Sequence, residues 1–590
     1  MVVPVKIDIQ TKSKELKKYI SQFETGSFVT QICYVLNSDR RMGGKCLSLE
    51  SPVRQIFYLL SLFLGTPRKK NLRIFDLVSG DFKYIEQLLT DIEAGYRSNF
   101  INEIERENLT EEMMNRIEVS KCTYIDYFVN APLNYTEQEV EKIRDIFYVY
   151  DEFIYSKTGL SLNDYLVFFD ITEQIDINKY VDYQKQIYNQ DSFEHYQSIS
   201  SAPHNTSSIE HYSRLFGLVE KAIASLRISK KELLNYNLSE DKLNKLLDCF
   251  SIRRGNEIDE NYLFYTQACP LMDIPIIELD DEKLVIPMQK QLIHAIYNHL
   301  FKVCMTIDKS GQRVLTRRDK RLEEKTAKIF KNFLGSNATI YTNYYLNNTE
   351  KDLLVLYRDT AFIVECKAHK NREPFMDVDK AFTRIKDDFG KSIQKGYNQA
   401  AEVSNLFQSS EIIAIKNHQG KIISNIKPHK YRNVFTIVVT QERLGQIQID
   451  LGLLLDIKDD NMYPWSVCVD DLESILLTLS RRESPYGDFL TYLSNREKLH
   501  ERVWCFDELE LVALYLTDKA GFIDICNRSE YFLSNPHEDR IFDFLYNIGF
   551  GFENERGIER KLERALLLSE ETKSLFRKVK FKCNFMKSPL

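Results

Sequence analysis

This chain has no long apolar run. Its longest, residues 56–65, falls well short of the ~20 residues that a membrane-spanning helix needs, and residues 1–10 contain no signal-peptide core. Paired cysteines are lacking too. Eleven are scattered singly from Cys33 to Cys583 with no CxxC, which excludes a zinc ribbon or disulfide framework and suits reduced thiols. Excess positive charge is also absent. Lys and Arg number 79 against 86 Asp and Glu, a net −7, so the chain is no general polyanion-coating protein, although a local basic groove stays open. No P-loop, GxSxG or HExxH occurs. Gly43-Gly44-Lys45 lacks the earlier glycine and the following Ser/Thr of a phosphate loop, and Gly549-Phe550-Gly551 has no third glycine. These absences predict a soluble, cytoplasmic chain with no membrane partner.

What is present is a packed globular protein. Hydrophobic content of 43% rules out a disordered chain, and 590 residues are too many for one core. Residues 1–190 read mainly as helices, one opening at Ser51-Pro52 and closing at Gly65. Residues 189–211 read as a polar linker, whose His195, His204 and His211 are too irregularly spaced for a metal site. A second mainly helical region, 210–310, contains a hairpin at 275–287 turning at Asp280-Asp281. It is followed by a helix on which His294 and His299 fall on different faces. The basic run 309–321 reads as a connector or a DNA-facing surface. From 481 to 590 the chain is again helical. Its tail places Lys573, Arg577, Lys578, Lys580, Lys582 and Lys587 among Phe576, Phe581 and Phe585, either a docked amphipathic end or a grip on a nucleic-acid backbone.

The informative stretch lies between Thr349 and Lys367. Two apolar runs flank Asp359-Thr360, a plausible hairpin turn. With that pair as the loop, Asp352 lies opposite Lys367. Because side chains alternate along a strand, Glu365 and Lys367 share Asp352's face while Cys366 points away as a small buried side chain. Two carboxylates and a lysine gather at one end of the hairpin. Charges there cost desolvation energy unless they pair or hold a metal. Asp352 and Glu365 are hard oxygen ligands of the kind Mg²⁺ prefers, and Lys367 is placed to orient an attacking water. A cross-strand Asp352–Lys367 ion pair is the competing reading.

The flanks extend the pattern. A helix over 321–333 carries Glu323, Ala327, Phe330 and Leu334 near one face. A strand follows at Thr339–Leu346, then the hairpin, a long helix over 383–407, and an apolar strand at Asn433–Thr440. This order, with Asp352 on one strand and Glu365-Cys366-Lys367 on the next, resembles the PD-(D/E)xK, or restriction-endonuclease-like, nuclease superfamily. Lys351 stands where the motif has Pro. The resemblance covers about a quarter of the chain. It implies an α+β multidomain protein whose central mixed-sheet domain, 311–480, lies between mainly helical regions. It also implies a Mg²⁺- or Mn²⁺-dependent nuclease acting on DNA, with RNA possible, in defence against foreign DNA. Glu323 would be the acid of the leading helix, and Gln399 or Lys395 the polar residue of the later one. The helical regions would bind substrate, a second copy or a protein partner. The alternative is a non-catalytic nuclease scaffold that binds nucleic acid or protein.

Overall fold

A computed structural model of the chain describes residues 7–41, 47–69, 72–98, 109–128, 134–187, 219–255, 258–259, 261–373, 375, 377–458, 462–534 and 540–556. The Gly43-Gly44-Lys45 turn, the histidine-bearing linker and the basic tail lie outside them. The architecture is α+β, with a seven-stranded mixed sheet and large helical regions. Among the described residues no helix is long and apolar enough to cross a membrane. Contacts divide the chain into two compact units, 1–101 with 128–314, and 102–127 with 315–590.

The first unit is mainly helical. Ser51 precedes the helix Pro52–Leu64, whose proline sits in the first turn where its missing N–H costs nothing. A four-stranded sheet includes the antiparallel pair Ile276–Glu278 and Leu284–Val285 expected around Asp280-Asp281. One apolar core joins Phe147, Tyr165, Phe168, Phe250, Leu292 and Ile296. The two histidines of helix Gln289–Cys304 serve this packing separately. His294 Nδ1 lies 3.7 Å from Glu139, and His299 Nε2 lies 3.2 Å from the Tyr165 hydroxyl.

The second unit opens with α1 (Glu111–Phe128) and α2 (Gln312–Leu334). Most of the basic run 309–321 is thus the first turns of α2, which starts earlier than its apolar stripe suggests. Strands β1 (Thr339–Leu346), β2 (Thr349–Tyr357) and β3 (Thr360–Lys367) form an antiparallel meander. Then come α3 (Val378–Phe389), a π-helical turn at Gly390–Gln394, and α4 (Lys395–Ser409). The Asp377 side chain caps α3 by accepting from Lys380 N–H at 2.9 Å, so the helix begins five residues before the expected 383. Next are β4 (Ile413–Lys416), β5 (Ile422–Ile426), β6 (Asn433–Thr440) and β7 (Trp465–Cys468), followed by α5 (Val469–Leu479), α6 (Pro485–Arg496) and α7 (Glu508–Thr517). The sheet order is β7-β6-β3-β2-β1-β4-β5, with β6 parallel to both β3 and β7.

Strand β3 is central and covered on both faces, which explains its nearly unbroken apolar run. On one face Ala361 and Ile363 pack with Ala400, Val403 and Phe407 of α4. On the other, Phe362 meets Phe330 of α2 and Phe489 of α6, with ring centroids 5.9 and 5.6 Å apart. The later helices are tied to the sheet edge through Glu508, which accepts from Trp465 Nε1 at 2.7 Å and Arg496 Nε at 3.0 Å. Helix α1 joins the same unit. Ser120 Oγ donates to the Val378 carbonyl at 3.0 Å, and Val119 packs with Ala381, Ile385 and Phe389. Asp470 and Asp471 do not cap α5. They lie in its first turn, behind Cys468 as N-cap.

Candidate active site

The hairpin turns one residue earlier than the sequence expectation, which shifts the cross-strand pairing by two. Pairs run from Tyr357↔Thr360 to Leu353↔Val364, so the loop is Arg358-Asp359 and not Asp359-Thr360. Arg358 takes the left-handed conformation at φ 54°. Stacking of its guanidinium over Tyr357 and Tyr486, 5.2 and 5.1 Å from the ring centroids, offsets that strain. Continuing the ladder places Asp352 across from Glu365, not Lys367. A shift of two residues leaves the parity of the faces unchanged, which is why the grouping survives the wrong turn.

The backbone ladder between β2 and β3 stops at Leu353↔Val364, and the Asp352 side chain takes over. Its Oδ2 accepts from Cys366 N–H at 2.6 Å and from Lys367 Nζ at 3.0 Å. Lys367 Nζ also donates to Glu365 Oε2 at 2.9 Å. Glu365 is 1% exposed and Asp352 17%, so the pocket opens on the Asp352 side. Glu365 Oε1 is buried and has no hydrogen-bond partner among the described residues. One ammonium cannot neutralise two carboxylates. The more buried one yields, and Glu365 is pushed up to about 8, by burial first and the Asp352 charge second. Burial opposes the charge on Lys367, but Glu365 and Asp352 outweigh it and hold the amine above its usual range. The Cys366 thiol is pushed far up by burial and is no nucleophile.

Glu323 of α2 reaches the same cluster. It is half-buried, hydrogen-bonds Asn343 and is pushed up to about 7, chiefly by burial and then by Asp352. Its neighbour Glu324 faces outward to Arg317 and Lys320. On the α4 side, Gly396 is the point of contact: a Cβ there would lie 2.8 Å from Val438 Cγ1 and 3.4 Å from Lys367 Cγ. The preceding π turn sets the phase that brings this glycine onto the strands. Gln399 lies one turn further along that face. Its Oε1 is buried without a hydrogen-bond partner among the described residues, whereas Lys395 is exposed.

Two neighbours have no counterpart in the motif. Lys351 is buried, and its Nζ donates to Glu402 at 2.6 Å and to the Gln399 carbonyl at 3.2 Å, fixing α4 against β2. Its place beside Asp352 was the available signal. The Tyr344 hydroxyl is buried, lacks a hydrogen-bond partner among the described residues and feels the charges of Glu365 and Asp352. Strand alternation hides it, because Asn343 turns left-handed (φ 49°) and Tyr341 and Tyr344 then pack against one core.

Among the described residues no three His, Cys, Asp or Glu side chains are arranged to hold a metal ion. Asp352 and Glu365 nevertheless suit Mg²⁺, which often takes one or two protein carboxylates and completes its shell with water and phosphate. The unpartnered Glu365 Oε1 is the oxygen such an ion would satisfy. No curated protein and no solved structure matches this chain. Residues 318–439 match the family model of NERD, the nuclease-related domain. That span runs from α2 through β6, and this part of the chain is accordingly a nuclease-related domain allied to the restriction-endonuclease-like PD-(D/E)xK fold.

Proposed function

We propose that the domain is a Mg²⁺- or Mn²⁺-dependent phosphodiesterase acting on nucleic acid, with DNA the favoured substrate. The observation that supports it most is the convergence of Asp352 and Glu365 on Lys367, with Glu365 Oε1 left without a hydrogen bond among the described residues. Folding alone does not favour such an arrangement, because a buried carboxylate oxygen without a partner costs about 1–3 kcal/mol. Asp352 and Glu365 would hold the ion, which when bound supplies charge neutralisation and a more acidic water. Lys367 holds both carboxylates in place and presents its ammonium where charge develops on the phosphate. Glu323, pushed up to about 7, is suited to exchange a proton near neutral pH. The Gln399 amide orients a polar group of the substrate or its water.

A scaffold reading is favoured by one fact: Lys367 already bonds both carboxylates without a metal. Cleavage of linear and circular DNA separates the two. The nuclease reading expects cutting with Mg²⁺ or Mn²⁺, none in excess EDTA, little with Ca²⁺, and none in Asp352→Asn. Cleavage that continues unchanged in EDTA or in Asp352→Asn refutes it.

A further inference from the structure

Residues 368–373 run back along α3, pinned at two points. His369 Nε2 lies 3.0 Å from Asp388 Oδ1, and Arg372 Nε donates to the same oxygen at 2.8 Å. The strip ends at Phe375, a residue 39% exposed. The Arg384 guanidinium lies 3.5 Å from the ring centroid and is itself held by the Glu373 carbonyl at 2.5 Å. This stack borders an open cleft of about 610 Å³ that Lys380, Thr383 and Arg372 also line. Asp379 and Asp387 lie there too, but Asp379 is paired with Arg116, and Asp387 with Arg372 and Lys391. Lys370, Lys380 and Lys395 are exposed and enter no ion pair among the described residues.

The arginine-braced ring of Phe375 thus shares its cleft with Lys380, a cation that enters no ion pair among the described residues. An aromatic face beside a free cation is the combination that binds an unstacked base next to a backbone contact. We infer that Phe375 and Arg384 form a stacking platform for a base of single-stranded nucleic acid, with Lys380 contacting a flanking phosphate. Duplex bases show only their edges, so the partner must be single-stranded or frayed at this point. The helical path from Gly396, beside Lys367, back to Arg384 is roughly 18 Å at 1.5 Å per residue.

This inference rests on the nuclease reading for its link to the site, but its test does not require cleavage. Binding of a labelled oligothymidylate of about a dozen nucleotides, and of a blunt hairpin duplex, is measured by anisotropy in EDTA with the full chain. Phe375→Ala should weaken single-strand binding about 5- to 150-fold and leave the melting temperature nearly unchanged, since the ring is partly exposed. Phe375→Trp should restore binding. Equal single-strand affinity in wild type and Phe375→Ala overturns the platform, and so does tighter wild-type binding to duplex with equal losses on both probes. Loss of binding in Phe375→Ala from a wild type that cuts nothing keeps the platform and removes the nuclease reading.

Discussion

Replacing Glu365 by Gln tests whether the cluster serves a ligand or the fold. Glu365 is 1% exposed, accepts one bond from Lys367 at 2.9 Å, and has its second oxygen buried without a hydrogen bond among the described residues. Its pKa rises from the ordinary 4.5 to about 8 in the metal-free protein. The sign follows from linkage. Between those values the folded state holds a proton that the unfolded state has released, so stability falls as pH rises through the window and levels off above about 8. At about 1.4 kcal/mol per pH unit the ceiling is near 5 kcal/mol. Glutamine keeps an acceptor for Lys367 but carries no charge, so that pH dependence should vanish. Above pH 8 the variant should be more stable than wild type by about 1–3 kcal/mol, the usual cost of a badly satisfied buried group. Thermal melting from pH 5 to 9 in EDTA, for both proteins, reads this directly. Added Mg²⁺ should raise the wild-type midpoint at pH 8 by mass action and leave the variant nearly unmoved. A variant that melts far below wild type at every pH, with no Mg²⁺ effect on either protein, would show that Glu365 is a structural ion-pair partner and refute the reasoning.

Three shorter predictions follow from the same geometry. Lys367→Ala removes the ammonium bonded to both carboxylates, and should cost about 3–5 kcal/mol in the metal-free protein while lowering cleavage on the order of 10²-fold, read as single-turnover rate beside a melt; a rate that does not fall contradicts its role. Gly396→Ala places a methyl 2.8 Å from Val438 Cγ1 and 3.4 Å from Lys367 Cγ, so it should cost about 1–3 kcal/mol and reduce activity. An unchanged melt would mean that α4 is free to move off the sheet. Tyr344→Phe removes a buried hydroxyl that has no hydrogen-bond partner among the described residues, and should stabilise the metal-free protein by about 1 kcal/mol. Its cleavage rate then tells whether that hydroxyl holds a water in the working site.

The sequence by itself determined the strands Thr339–Leu346 and Asn433–Thr440, both of which match their expected bounds, because local apolar patterning decides which residues form buried strands. It also determined that Asp352, Glu365 and Lys367 gather, since a turn misplaced by one residue shifts the cross-strand pairing by two, which a period of two tolerates. Other features required tertiary contacts. The Arg358-Asp359 turn depends on Tyr486, more than a hundred residues away, to stabilise a left-handed arginine. The choice of Glu323 over Glu324 depends on the phase of α2 against the sheet, which an adjacent pair of identical residues cannot disclose. Strands β4 and β5 were not legible because they are short and half-exposed at the sheet edge. The close approach of Gly396 to Lys367 follows from a π turn with no local signature, and α1 packs into this unit through contacts some 260 residues distant in the chain. Local periodicity specifies elements and faces; which charges are buried, and which oxygen is left without a partner, is set only when those faces close on one another.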